Sequence, residues 1–323
     1  MSIFDGMIPE IKGKGIRIVF PEGTDIRILN AAKRLSKEQL IEPILLGNKE
    51  MVETVMSQIN MDCSGLTVID PATYADFDKM VDLFVELRKG KATREQAVET
   101  LKATNYFGTM LVKMGEADGL VGGALYSTAD TVRPALQIVK TKADVNKVSS
   151  MFYMHKDEQA YIFGDCAINV APDAEDLADI AIGCESAAAK FGLTDPKIGL
   201  LSFSTKGSAS GPEVDKVQEA VKILNERRPD LIVDGELQFD AAIVPSVGIQ
   251  KAPGSDVAGQ ANILIFPSLE AGNIGYKIAQ RLGGYEAIGP ILLGLNAPIN
   301  DLSRGCNEED VYKLAIITAA QVR

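Results

Sequence analysis

The chain has 323 residues, with 33 Lys+Arg against 44 Asp+Glu for a formal charge of −11, and it holds one histidine, four cysteines and no tryptophan. At roughly 150 residues per domain, this length predicts about two domains and room for a large core. The acidic balance argues against a nucleic-acid or anionic-membrane binder, and the single His155 excludes histidine-cluster metal sites. With a Ser-His-Asp triad reduced to one candidate histidine, the chemistry falls to Ser, Arg, Lys, Asp, Glu or Cys.

Met1–Glu10 carries Asp5 and Glu10 and no apolar run, so no signal peptide is read. No window approaches the roughly 18 apolar residues of a membrane span. Cys63, Cys166, Cys184 and Cys306 are widely spaced, without C-x-x-C, which predicts free thiols in a reducing, cytoplasmic setting.

In chain order, Ile16–Phe20, Pro43–Leu46, Leu66–Ile69, Leu120–Val121, Ile198–Phe203, Leu231–Val233, Ile263–Phe266 and Ile291–Leu293 read as buried strands. Ile26–Leu35, Arg94–Lys102, Ala174–Phe191, Val214–Arg227, Ile274–Leu282 and Glu308–Gln321 carry helical patterns. Apolar strands separated by helices predict an α/β fold with mainly parallel sheets flanked by helices. Met151–Met154 and Ala160–Asn169, joined by His155–Glu158, break the rhythm as a hairpin. The charged connector Thr141–Lys147 before it sets a boundary near 140–150. The expected domains are 1–145 with 290–323, the last helix returning to the first domain, and 146–289.

In open α/β sheets, ligands collect where strand carboxyl ends meet helix N-termini. Four loops qualify. Gly119–Pro134 ends a strand in glycines and presents Ser127, Thr128, Thr131 and Arg133, so an anion could meet backbone amides and an arginine fork; the alternative is a plain βα turn with an N-cap. Phe203–Gly211 offers Ser204 and Lys206 in a hydroxyl- and glycine-rich loop, or a solvent loop. Pro267–Lys277 places Asn273 and Lys277 on one helix face, for a ligand or for domain packing through Gly272 and Gly275. Gly294–Asp310 offers Ser303 and Arg304, then Asn307 and Asp310 with the spacing of a capping box. Neither a Walker A loop nor a strand-then-helix G-x-G-x-x-G occurs, which disfavours a nicotinamide dehydrogenase.

These loops carry a resemblance. Phe20-Pro-Glu-Gly23, Asn105-Tyr-Phe-Gly-Thr109, Ser127-Thr-Ala-Asp-Thr-Val-Arg133, Asp165-Cys-Ala-Ile-Asn169, Leu201–Gly207, Asp234–Asp240, Phe266–Lys277 and Asn300–Cys306 resemble the phosphate acetyltransferase (phosphotransacetylase) family, in its short form without a regulatory N-terminal domain. The likeness covers essentially the whole chain. It implies reversible acetyl transfer between coenzyme A and orthophosphate, giving acetyl phosphate, in the cytoplasm and in acetate metabolism. It also implies two domains of isocitrate/isopropylmalate-dehydrogenase-like architecture with the active-site cleft between them, and a homodimer. No cofactor, metal, nucleic acid or membrane is implied.

Carried onto matching positions, the resemblance makes Asp310 the base for the CoA thiol and Ser303 the oxyanion donor. Arg304 and Arg133 would bind the phosphate or acetyl phosphate, and Arg88 a CoA phosphate. Arginines suit two anionic partners because they stay charged and fork onto phosphate oxygens. The base assignment carries a tension: a first-turn carboxylate is acidified by the helix dipole, whereas a base for a thiol gains from desolvation. A ping-pong route through Cys306 or Cys166 is the rival to direct attack in a ternary complex. Competing functions are a phosphate butyryl- or propionyltransferase, a non-catalytic CoA or acetyl-phosphate sensor, and a dehydrogenase on the same architecture.

Overall fold

The computed structural model describes residues 3–143 and 145–322; Met1, Ser2, Arg323 and Asp144 of the charged connector lie outside them. The chain divides into two units, each packed chiefly on itself: Met1–Lys142 with Leu295–Arg323, and Ala143–Gly294.

The first unit opens with four strands, β1 (Arg17–Phe20), β2 (Glu42–Leu46), β3 (Thr67–Ile69) and β4 (Gly119–Gly122). All pair in parallel, in the order β4-β1-β2-β3. Their helices are α1 (Ile3–Ile11), α2 (Ile26–Lys37), α3 (Lys49–Gln58), α4 (Phe77–Arg88), α5 (Arg94–Leu101), α6 (Thr104–Lys113) and α7 (Thr128–Pro134). Helix α2 shows why the periodic ones are legible: Asp25 caps it, and Ile28, Leu29, Ala32 and Leu35 form its buried stripe. Helix α6 carries no such stripe because it is buried almost all round, from Asn105 through Val112.

The second unit begins with the expected hairpin, β5 (Ser149–Lys156) and β6 (Gln159–Gly164), paired antiparallel with Lys156 opposite Gln159. It continues through α8 (Ala174–Ala188), β7 (Ile198–Leu201), α9 (Pro212–Arg227), β8 (Val233–Leu237), α10 (Phe239–Ile243), α11 (Pro245–Lys251), β9 (Ile263–Ile265), α12 (Leu269–Arg281) and β10 (Glu286–Leu293). The order is β10-β5-β6-β9-β7-β8. Strands β6, β9, β7 and β8 are parallel, while β10 runs antiparallel to β5, so this sheet is mixed. Residues 290–294, read with the first domain from sequence pattern, therefore fall in the second unit, because Ile291–Leu293 pair with Ser149–Met151.

The chain then returns to the first unit. Strand β11 (Ile299–Asp301) adds in parallel to β4, completing a five-stranded sheet, and α13 (Glu308–Gln321) packs with a long buried face from Val311 to Ala320. No described helix is long and apolar enough to cross a membrane.

Candidate active site

In the completed order β11-β4-β1-β2-β3, the chain runs on from β1 to β2 on one side, while β11 lies beside β4 on the other. The sheet thus extends in opposite directions from the neighbouring strands β1 and β4. A crevice outside the carboxyl ends of β1 and β4 is where such a sheet takes ligands. Three segments meet there: 22–27 after β1, 123–133 after β4, and 301–310 from the end of β11.

Glu22 organises the second of these. Its buried carboxylate accepts backbone N–H bonds from Gly123 (3.2 Å), Ala124 (3.1 Å), Leu125 (2.7 Å) and Tyr126 (2.9 Å). The amides that the sequence offered to an external anion are thus occupied by an internal one. This corrects the expectation that backbone amides of the Gly119–Pro134 loop meet an external anion. Ser127 is the N-cap of α7 in a capping box with Asp130, its hydroxyl 2.6 Å from Asp130 Oδ2. Thr128 Oγ1 donates to Asp301 Oδ2 at 2.7 Å, and Thr131 is buried. Arg133 on the same helix is exposed and makes no hydrogen bond or ion pair with a described residue.

Arg27 ties this loop to the next. Its guanidinium donates to Ala124 O (3.0 Å), Arg304 O (3.0 Å) and Cys306 O (2.9 Å) while ion-paired to Asp25 at 2.7 Å. Planar, permanently charged and multidentate, it is suited to pin two backbone segments at once. Beyond the pin, Ser303 and Arg304 are exposed, and the Arg304 side chain has no hydrogen-bond partner among the described residues. Asp310 is half-buried in the first turn of α13. Its Oδ2 accepts from Asn307 N at 2.9 Å, and Asn307 Oδ1 accepts from Asp310 N at 2.9 Å. The capping box is real, and Oδ1 of Asp310 stays unengaged by described residues.

Neither cysteine is prepared as a nucleophile. Burial pushes the Cys306 thiol up to about 11 against the opposing charge of Arg27, and burial raises the Cys166 thiol well above its ordinary range. Arg88, the last residue of α4, lines a cavity of about 610 Å³ in the first unit with Phe84, Lys91, Tyr106 and Gln137. Burial raises the Tyr106 phenol, while the charges of Arg133 and Arg88 both work to lower it.

The second-unit candidates are internally bonded. Ser204 Oγ is buried and donates to Glu236 at 2.8 Å, and Lys206 is ion-paired to Asp234. Asn273 Nδ2 donates to Cys166 O at 3.1 Å, and Lys277 Nζ donates to Asn273 Oδ1 at 2.7 Å. The large cavity of this unit, about 730 Å³, is lined by Phe163, Leu201, Phe239, Phe266 and Ile278 among others and by none of these four residues.

Comparison with known proteins gives the family. A family model described as phosphate acetyl/butaryl transferase matches residues 2–319. The chain belongs to that family. It is 56% identical over 320 residues to the phosphate acetyltransferase of Bacillus subtilis, covering 99% of each chain. It is similar to the crystal structure of a phosphotransacetylase from Streptococcus pyogenes, with TM-score 0.95, 57% identity and coverage of 100% of this chain and 99% of that one. A phosphotransacetylase from Staphylococcus aureus matches with TM-score 0.91 and 54% identity over 99% and 98% of the two chains. The phosphate acetyl/butaryl transferase fold here is an α/β fold with parallel strands flanked by helices. Within it, the residues that sequence reasoning passed over are the braces: Glu22, Arg27 and Asp301. Glu22 stood in the Phe20–Gly23 motif, but nothing in its spacing announces four amide bonds. The available clue was position alone, since each of the three lies within seven residues of a strand's carboxyl end.

Proposed function

We propose that the protein is a phosphate acetyltransferase that reversibly moves an acetyl group between coenzyme A and orthophosphate, by direct attack in a ternary complex. The observation that carries this reading is the unengaged pair Arg133 and Arg304, on the two segments 123–133 and 301–310 that Arg27 bonds together at the carboxyl edge of the first sheet. In the direction of CoA acetylation, Asp310 accepts the proton of the CoA thiol. The thiolate sulfur forms a bond to the carbonyl carbon of acetyl phosphate. The bond between that carbon and the bridging oxygen then breaks, and orthophosphate leaves with the electron pair and takes up the proton that Asp310 had accepted.

Arg304 and Arg133 hold the phosphoryl oxygens and neutralise the leaving group. Ser303 donates to the tetrahedral oxyanion, an interaction worth about 3 kcal/mol in comparable sites. Arg88 takes a CoA phosphate. Positioning the two substrates in line supplies part of the roughly 7–11 kcal/mol available from proximity. The buried, high-pKa thiols support direct transfer over a thioester on Cys306 or Cys166.

The proposal extends to a homodimer, to the cytoplasm, to acetate metabolism and to the isocitrate/isopropylmalate-dehydrogenase-like architecture. Four free cysteines support the reducing compartment. In support of the dimer, Ile274, Ile278 and Leu282 form an exposed stripe on and just past α12, beside the apolar 730 Å³ groove. An exposed apolar patch of this kind is what a two-fold contact between copies of the chain would bury.

Purified protein given acetyl phosphate and CoA should form the thioester, seen by ultraviolet absorbance, with equimolar phosphate release. No thioester from acetyl phosphate but rapid turnover of butyryl phosphate would move the assignment to the butyryl- or propionyltransferase reading. Cys306→Ala should stay active; an inactive variant together with a trapped acetyl-enzyme would replace direct attack with ping-pong.

A further inference from the structure

Asp301, the last residue of β11, is 1% exposed, yet it is ionisable and lies where two loops meet. Thr128 Oγ1, on the first residue of α7, donates to its Oδ2 at 2.7 Å, and the Thr131 hydroxyl faces the same carboxyl. Oδ1 is the buried side-chain atom that finds no hydrogen-bond partner among the described residues. Gly123, at φ +105°, closes over it: a Cβ there would run into the carboxylate and lie 2.7 Å from Leu302 N. Leu302 N in turn donates to Gly122 O at 2.6 Å. Asp301 therefore bonds the turn that leads to Arg133 to the segment that leads to Ser303 and Arg304.

An asparagine would accept the Thr128 hydroxyl equally well, so packing and capping do not explain an acid here. Burying a carboxylate with one oxygen unpaired is costly, and such a group calls for a reason. The charges that face it supply one. From the β1–α2 turn Glu22 repels a negative Asp301, and from its own loop Arg304 attracts it, while α7 presents only the hydroxyls of Thr128 and Thr131.

We propose that Asp301 is a positioning residue of this site: it holds the Ser303–Arg304 loop against the first turn of α7 and, when charged, draws the Arg304 guanidinium into place for phosphate. This rests on the phosphate-transfer reading of that loop. Burial pushes the Asp301 carboxyl up to about 6, with the two threonine hydroxyls opposing the rise and Glu22 adding to it. At pH 8 the group is charged and Arg304 is drawn in; below about 6 it takes a proton and the attraction lapses.

The test is the Asp301→Asn enzyme beside the wild type, with KM for acetyl phosphate and kcat measured from pH 5 to pH 8. At pH 8 the variant's KM should be about tenfold higher with kcat changed less. The KM ratio of variant to wild type should shrink toward one below pH 6, where the wild-type carboxyl is also neutral. Because this is a ratio, the titration of acetyl phosphate cancels. An unchanged KM at pH 8, or a ratio constant across the range as a merely structural role requires, overturns the proposal. Should the variant not fold, Thr128→Val should raise KM while Thr128→Ser should restore it, and equal effects of the two overturn it. If the wild type forms no thioester, the proposed activity has failed, and calorimetric binding of inorganic phosphate to the same proteins over the same pH range still decides Asp301.

Discussion

Two loops of this molecule look alike in sequence and differ in what they leave available. Each follows a parallel strand, each is rich in glycine and hydroxyls, and each is gripped by a buried glutamate. In the first unit, Glu22 binds only backbone N–H groups, the four from Gly123 to Tyr126, so the charged side chain downstream, Arg133, stays unengaged. In the second unit, Glu236 takes the Ser204 hydroxyl, the Gly207 amide and the Gln218 side chain, and the loop's own Lys206 is neutralised by Asp234. Composition proposes an anion site in both; what separates them is whether the cation is already paired. A chain of net charge −11 can serve phosphate-bearing substrates through a few arginines that are not spent in ion pairs.

The largest expected effects fall on the open loop. Arg304→Ala should lower kcat/KM for acetyl phosphate by about 10²–10³, the cost of a missing charged donor at the reacting group. Arg133→Ala should fall in the same range. If either variant kept more than half of wild-type kcat/KM, the distinction between paired and unpaired cations would not mark the site.

Next in size are the two glutamates, compared through stability. Glu22→Ala leaves four amides without their acceptor and should cost about 3 kcal/mol or more in urea unfolding at pH 7. Glu236 adds a pH dependence. Burial works to raise its carboxyl, but bonds from Gly207, Gln218 and Ser204 outweigh burial and the group is net lowered. Its charge therefore contributes stability that is present above the ordinary glutamate value near 4.3 and is lost as pH falls through the lowered value. Wild type should lose stability on acidification through that window, and Glu236→Gln should lose less, as read by melting temperature at pH 7 and pH 3.5. Equal losses in the two proteins would remove Glu236 as a brace.

The contrast also marks where sequence reading stops. Strands such as β1 and β7 were legible because Ile18–Phe20 and Ile198–Leu201 are uninterrupted apolar runs, and α2 because its apolar residues recur every three or four positions. Helix α6 was not, since a helix buried on every side has no period to read, and β11 is only three residues long. The side chains of Ser303, Arg304 and Asp310 were legible as types at a strand-to-helix loop, and the Asn307–Asp310 capping box followed from spacing alone. Their supports were not. Glu22 and Gly123 are 101 residues apart, Thr128 and Asp301 173, and Arg27 and Arg304 277, so each bond exists only once the sheet order sets β1, β4 and β11 side by side. Local pattern carries no information about such pairs.

The smallest expected effect is the sharpest check on the comparison. Lys206 is half-exposed and salt-bridged to Asp234, which is itself bonded to Ser255 Oγ and to Gly235 N. A half-exposed ion pair of this kind contributes about 0–1 kcal/mol, because solvent screens the attraction and ordering two side chains opposes it. Lys206→Ala should therefore shift the unfolding free energy by less than about 1 kcal/mol. It should also leave kcat/KM for both substrates within about twofold, since its charge is already spent on Asp234. A tenfold rise in the KM for CoA or for acetyl phosphate would mean that the pair opens when substrate arrives and that Lys206 exchanges Asp234 for a phosphate. The two loops would then be alike in function as well as in composition, differing only in that one arginine is held ready and one lysine is held in reserve.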